Sequence, residues 1–289
     1  MMEEVHGTPK LQFLKLGGSL ITDKEKPRTA RQEMIDRLVS EIRGALESRP
    51  GQQLLLGHGS GSFGHVVARQ YGTRLGVRSP ADWRGFAVVW QEARSLNQIV
   101  MDALYQAGLP AIAFPVSSSA VTEDGQIVRW DIEPLRAALR AGLVPVVYGD
   151  VAFDRKLGGT ILSTEDIFSY LAGKLKPFRI LLAGMEQGVW ADYPGKTQLI
   201  SQITPQTYAE TLAVYGATAG DDVTGGMGGK VQDMLDLVRA LPGLEAVIFS
   251  GVQAGNLEAA LDGEVLGTRL TAPGGGTLRR PQEARPGGI

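Results

Sequence analysis

The chain of 289 residues contains no cysteine, so a disulfide framework, a thiolate nucleophile and a thiolate metal site are all excluded. A cysteine-free chain fits a cytoplasmic protein. Only three histidines are present, which makes any histidine beside a glycine-rich segment conspicuous. A large excess of either charge is also missing: the net charge is −2, with no electrostatic footprint for nucleic acid. No apolar run approaches the ~18–20 residues of a membrane span. The N-terminal Met1-Met2-Glu3-Glu4-Val5-His6-Gly7 lacks the basic and apolar regions of a secretory signal. These absences leave a globular protein in which acidic small molecules could still bind, through a local site rather than a global field.

Glycine is abundant, with 38 residues, and its clusters carry the information. Strand-like and helix-like segments alternate almost throughout. Leu11–Leu16, Leu54–Leu56, Ala111–Val116, Val144–Tyr148, Ile180–Ala183 and Ala246–Ser250 read as strands. Between them Ile35, Leu38, Val39, Ile42 and Leu46 mark one helix face. Phe86, Val89, Ala93, Leu96, Val100 and Leu104 mark another. Thr29-x-x-Gln32, Ser79-Pro80-x-Asp82 and Ser163-x-x-Asp166 are predicted helix starts. Two hairpins are expected, around Glu123-Asp124-Gly125 and Lys156–Gly159, and further helices at 205–215, 230–240 and 257–261. Strands separated by helices require crossovers. The expected fold is therefore α/β, a three-layer αβα sandwich with a mainly parallel central sheet. In such sheets ligands lie beyond the carboxyl ends of the strands, where the glycine clusters fall. Residues 273–289, rich in Gly, Pro and Arg, read as a flexible tail.

Two motif matches are misleading. Gly59-Ser60-Gly61-Ser62-Phe63-Gly64 fits G-x-G-x-x-G, but the expected acidic strand end ~20 residues on is replaced by a loop and helix start at 76–82. Thr224-x-x-x-x-Gly229-Lys230 fails as a phosphate-binding P-loop because Thr224 replaces its first glycine and Val231 its Ser/Thr.

The chemistry-bearing residues are lysines next to bare backbone. Lys15 precedes Gly17-Gly18-Ser19, Lys24 follows nine residues later, and Lys230 closes Gly225-Gly226-Met227-Gly228-Gly229. Gly57-His58-Gly59-Ser60-Gly61-Ser62-Phe63-Gly64-His65 supplies a turn whose N–H groups can wrap an anion, ending on a histidine. Three lysines, glycine nests and a histidine suit phosphoryl transfer to an anionic acceptor, where positioning and charge neutralisation do most of the work. An acidic residue that orients the lysines or holds Mg²⁺ is also expected, with Asp150 and Asp166 as candidates.

Lys15–Ile21, Phe63-Gly64-His65, Val144–Asp150 and Asp222–Met227, in this order, resemble the amino acid kinase superfamily, and within it the isopentenyl phosphate kinases. The resemblance spans about residues 11–272, with His65 the discriminating residue. It implies ATP-dependent phosphorylation of a small phosphate-bearing substrate, with Mg²⁺ accompanying ATP. By motif, Lys15, Lys24 and Lys230 would grip the ATP phosphates and the migrating phosphoryl group. Gly17, Gly18, Ser19, Gly61 and Gly225 would contact ATP. His65 would hydrogen-bond the acceptor phosphate, with Ser60, Gly61, Gly149, Asp150 and Thr164 around it. Phe86, Val89, Val151 and Ile161 would line an apolar slot for an isoprenoid tail. Residues 1–175 would form the acceptor-binding lobe and 176–272 the nucleotide-binding lobe, in a homodimer.

The chain departs from the family pattern at Met185-Glu186-Gln187-Gly188, where Asp-x-Asp-Gly is frequent, and at Gly228, where a second lysine can stand. Ser60 replaces a frequent glycine, which is tolerated unless φ > 0 is required there. Two other functions compete: a kinase of another phosphate or phosphonate such as fosfomycin, and a nucleotide-binding module without catalysis. Polar lining near His65 would favour the former. Retention of all three lysines and His65 argues against the latter.

Overall fold

A computed structural model describes residues 10–208 and 226–272. Gly225, most of the Asp222–Met227 motif, most of the helix expected at 205–215 and the predicted tail lie outside the described residues. The central sheet has eight strands. In spatial order they are β12 (Gln202–Ile203), β14 (Thr268–Thr271), β13 (Glu245–Ser250), β9 (Arg179–Gly184), β1 (Leu11–Leu16), β2 (Gln53–His58), β6 (Val144–Tyr148) and β3 (Ala111–Ala113). From β13 to β3 every pairing is parallel, and β14 runs antiparallel to β13.

Alternation along the strands divides the core in two. Phe13, Ile180, Leu182, Ala246 and Ile248 face one layer, while Leu14, Leu16, Leu181, Ala183, Val247 and Phe249 face the other. Helices α5 (Glu133–Arg140), α6 (Thr164–Leu175) and α7 (Met227–Ala240) cover the first face. Helices α2 (Gln32–Ser48), α4 (Pro80–Gln106) and α8 (Asn256–Leu261) cover the second. The expected three-layer αβα sandwich is thus the observed one.

Both predicted hairpins form and join into a second, four-stranded sheet ordered β5 (Gln126–Trp130), β4 (Ala120–Glu123), β7 (Asp150–Asp154) and β8 (Gly158–Leu162). The Asp154 carboxylate ties them together by accepting N–H bonds from Asp124, Gly125, Lys156 and Leu157. Ser79 with Asp82 and Ser163 with Asp166 make reciprocal capping boxes, as their spacing predicts. The third predicted start is corrected. α2 begins at Gln32 without a side-chain cap, because the Thr29 hydroxyl donates to the Pro27 carbonyl instead.

A second correction bears on the site. The glycine-rich segment is not a turn ending at His65. It becomes helix α3 (Gly61–Tyr71), so His65, its fifth residue, opens that helix's second turn. Likewise α7 begins at Met227, three residues before the predicted start, which puts Lys230 in its first turn. A four-residue helix, α1 (Gly18–Ile21), follows β1 directly.

Candidate active site

The site is built at the carboxyl edge of the central sheet. The chain turns out of β1 at Gly17, whose N–H donates to the Ala183 carbonyl of β9 at 2.8 Å. Leaving β2, Gly59 donates to Leu16 at 3.1 Å, and leaving β6, Gly149 donates to His58 at 3.2 Å. Gly18 and Gly61 meet backbone to backbone: a Cβ on Gly18 would lie 2.5 Å from the Gly61 nitrogen. Gly61 has φ +49°, and a Cβ there would overlap the Thr22 hydroxyl. Neither position has space for a methyl group. Thr22 is fully buried and joins the two segments, donating to the Gly18 carbonyl at 2.7 Å and accepting from the Ser62 N–H at 3.0 Å. Ser60 has φ −78°, so the serine fits where glycine is frequent. Ser19 is half-buried on α1 beside these glycines.

Lys15 lies on the sheet face that Leu11 and Phe13 share, and its ammonium is buried against the Glu165 carboxylate. Glu165 is the second residue of α6 and is itself buried. Burial pushes its carboxyl up, but the Lys15 charge and hydrogen bond, with Lys230, outweigh that and hold it below its usual range. Glu165 is the acidic residue that faces the lysines, and its sequence gave no sign of it. Asp166 instead closes the capping box, accepting from the Ser163 N–H and hydroxyl at 2.8 Å each. Asp150 does not pair with a lysine either. It begins β7, buried, with Oδ1 accepting the Val151 N–H at 2.8 Å.

Burial raises the Asp150 carboxyl to about 6 from 3.8. Between those values the folded state binds a proton that the unfolded chain releases, so stability falls as pH rises through this window. Asp150→Asn should therefore stabilise the fold by about 2 kcal/mol at pH 7.5, with the gain vanishing below pH 4. Thermal unfolding across pH checks this.

Lys24 is exposed on the segment after Thr22, yet its charge acts on two distant groups. It lowers the titration of His65 and that of Glu186, which follows β9. The Lys24 charge is thus felt both on the α3 side of the site and on the β9 side. His65 titrates below its ordinary value, first through partial burial of the ring, then through Lys24, Lys15 and Arg69. A neutral imidazole amid several cations is ready to gain a proton when an anion enters.

Behind this surface lies a support that no sequence motif singles out. His58 is fully buried, with Nδ1 facing the Gly59 carbonyl and Nε2 facing the Asn97 amide, each at 3.1 Å. Burial keeps the ring neutral. Its carbonyl takes the Thr164 hydroxyl at 2.7 Å, so that side chain ties α6 to β2.

The apolar residues named from the sequence come together. Phe86, Val89 and Val151 form a buried cluster with Val77, separate from both cores, and Ile161, Val67 and Ala68 pack against it. Val67 and Ala68 lie on α3, where Ala68 is three residues beyond His65. Trp83 and the half-exposed Phe153 stack at its edge, ring centres 5.9 Å apart. On the β9 side, Glu186 takes the Trp190 indole N–H at 3.1 Å and the Lys196 ammonium at 2.7 Å. Gly267, expected near the closing strand, directly precedes β14 with φ +64°.

Residues 10–250 match the amino acid kinase family. The chain is 37% identical over 268 residues to an isopentenyl phosphate kinase of Methanothermobacter thermautotrophicus, covering 90% of this chain and 98% of that one. It is 34% identical to the isopentenyl phosphate kinase of Methanocaldococcus jannaschii, with the same coverage of each. A crystal structure of an isopentenyl phosphate kinase superposes with a TM-score of 0.76 at 33% identity, over 90% of this chain and all of that one. With the lysines and glycine segments already placed at one sheet edge, this likeness makes the chain a small-molecule kinase. It belongs to the amino acid kinase family, among the isopentenyl phosphate kinases.

Proposed function

We propose that the protein transfers the terminal phosphoryl group of ATP to isopentenyl phosphate, giving isopentenyl diphosphate and ADP. The observation that carries this reading is the course of α3. It presents His65 among cations at the start of its second turn, and three residues further Ala68 packs against the Phe86/Val89/Val151 cluster. One end of the acceptor needs a phosphate clamp and the other an apolar wall, and a single helix supplies both. Each methylene buried there contributes about 0.8 kcal/mol. An apolar wall also favours the isoprenoid over fosfomycin, which has no tail to cover it.

An oxygen of the acceptor phosphate attacks the γ-phosphorus while the bond to the ADP oxygen breaks. That oxygen is already ionised near neutral pH, so no strong general base is required. Lys15, fixed by Glu165, and Lys230, in the first turn of α7, would neutralise charge on the nucleotide side. Lys24 would bridge donor and acceptor, and His65 would bind the acceptor phosphate, with Ser60, Gly61, Gly149 and Asp150 nearby. Gly17, Gly18 and Ser19 would line the ATP phosphates. In this reading residues 1–175 serve mainly the acceptor and 176–272 the nucleotide.

No group of three or more His, Asp or Glu side chains gathers in metal-binding spacing among the described residues. Mg²⁺ prefers phosphate oxygens and water, and would be carried to the site chiefly on the ATP phosphates. The metal would supply charge neutralisation on the transferring group. No described helix is long and apolar enough to cross a membrane. The reading also takes the enzyme as cytoplasmic and homodimeric.

Incubation with Mg-ATP and isopentenyl phosphate should yield ADP and the diphosphate, followed by phosphorus NMR. Turnover of fosfomycin without turnover of isopentenyl phosphate would overturn the assignment.

A further inference from the structure

Lys24 stands on neither a strand nor a helix, so its position depends on what fastens its segment. Residues 22–30 form a strap closed at its base by a bridge between Thr22 and Ala30. Asp23 N–H donates to the Thr29 carbonyl at 2.9 Å, and Arg31 N–H to the Ile21 carbonyl at 2.8 Å. One side rests on the start of α3, where the Thr29 N–H meets the Ser62 hydroxyl at 3.4 Å.

The other side is held by α4. Glu92, near the middle of that helix, is only 6% exposed, a place where a carboxylate needs a partner. Its Oε1 meets the Arg28 guanidinium at 3.1 Å, while Oε2 has no hydrogen-bond partner among the described residues. Arg28 reaches it from left-handed backbone, φ +52°, which is uncommon for a residue other than glycine. A buried carboxylate and an unfavourable backbone conformation thus meet in one contact at the strap. A merely solvated surface arginine would need neither.

We infer that Glu92 is a positioning residue for Lys24, clamping the strap through Arg28 so that the ammonium stays between His65 and the nucleotide side. The inference rests on the proposed role of Lys24. Glu92 itself touches neither substrate. It follows Phe86 and Val89 on the same helix at three-residue intervals, so one rigid element sets both the tail wall and the strap anchor.

The test compares Glu92→Gln, Lys24→Ala and the double variant. Glu92→Gln should lower kcat about tenfold with little change in the acceptor KM, while Glu92→Asp keeps part of the rate. In the Lys24→Ala background Glu92→Gln should cost nothing further. Losses that multiply, or a wild-type kcat in Glu92→Gln, would overturn the clamp. A substrate-free arm uses proton NMR titration of His65, resolvable because the chain has three histidines. Freeing Lys24 should raise the His65 pKa in Glu92→Gln, and equally in Arg28→Gln, which alters the exposed partner if the buried change unfolds the protein. An unchanged His65 titration in the folded variants refutes the clamp. A wild-type enzyme inactive on isopentenyl phosphate refutes only the functional reading.

Discussion

Lys15→Met should lower kcat by about 10³-fold while leaving both KM values within a few fold. The size of this effect follows from where the ammonium sits. It is 7% exposed near the end of a central strand and fixed by Glu165, so in its proposed role it would meet the transferring group without reorganising. Charge that develops on phosphate oxygens in a low-dielectric site gains most from such a fixed cation. The same substitution should also destabilise the fold, because it leaves the Glu165 carboxylate buried beside Lys230 alone. Breaking a buried pair from one side costs about 3–5 kcal/mol. The sign with pH is specific. Glu165 titrates below its usual value in the wild type, so its contribution is present above the unfolded pKa and lost as pH falls through the folded one. Without Lys15 the burial that opposes ionisation loses its strongest counterweight. The double variant Lys15→Met/Glu165→Gln should therefore recover thermal stability and recover none of the rate. Recovery of both would refute a catalytic role for Lys15.

His65→Ala should lower kcat/KM for the acceptor by about 10²-fold and abolish a proton uptake on acceptor binding. In the free protein partial burial, Lys24, Lys15 and Arg69 all disfavour the imidazolium, so the ring is neutral at pH 7.5. A phosphate dianion entering beside it reverses the balance and draws a proton from buffer. Titration calorimetry in buffers of different ionisation enthalpy reads that proton directly. For stability the sign is the same as that of Glu165, in a higher window: below 6.5 the unfolded chain binds a proton the folded ring resists, so stability falls as pH falls there. Uptake that persists in His65→Ala would move the acceptor phosphate elsewhere.

Lys15 and His65 were legible in the sequence because their glycine neighbours offer almost no side chain for a charged or aromatic group to pack against. Glu165 was not, since the adjacent Asp166 completes a capping box and drew the acidic role by its spacing. The helix carrying His65 was hidden by its own glycines, 61 and 64, which read as a turn. Thr22, Glu92 and His58 are visible only through partners 40, 64 and 39 residues away. The layer order of the sheet followed from alternating strands and helices. The second sheet did not, because β4 beside β7 joins two hairpins that the sequence presents as unrelated.

In the proposed mechanism, the contact of Gly18 with Gly61 would work as a fixed ruler between the two substrates. In the proposed reading the Gly18 peptide lines the ATP phosphates and the Gly61 peptide the acceptor, and with no side chain between them neither could be adjusted by substitution. On that reading, the gap across which the phosphoryl group would travel is set by backbone alone. Any change of acceptor that the enzyme accommodates would then be made at the edge of the apolar cluster, where Trp83 and Phe153 are partly exposed.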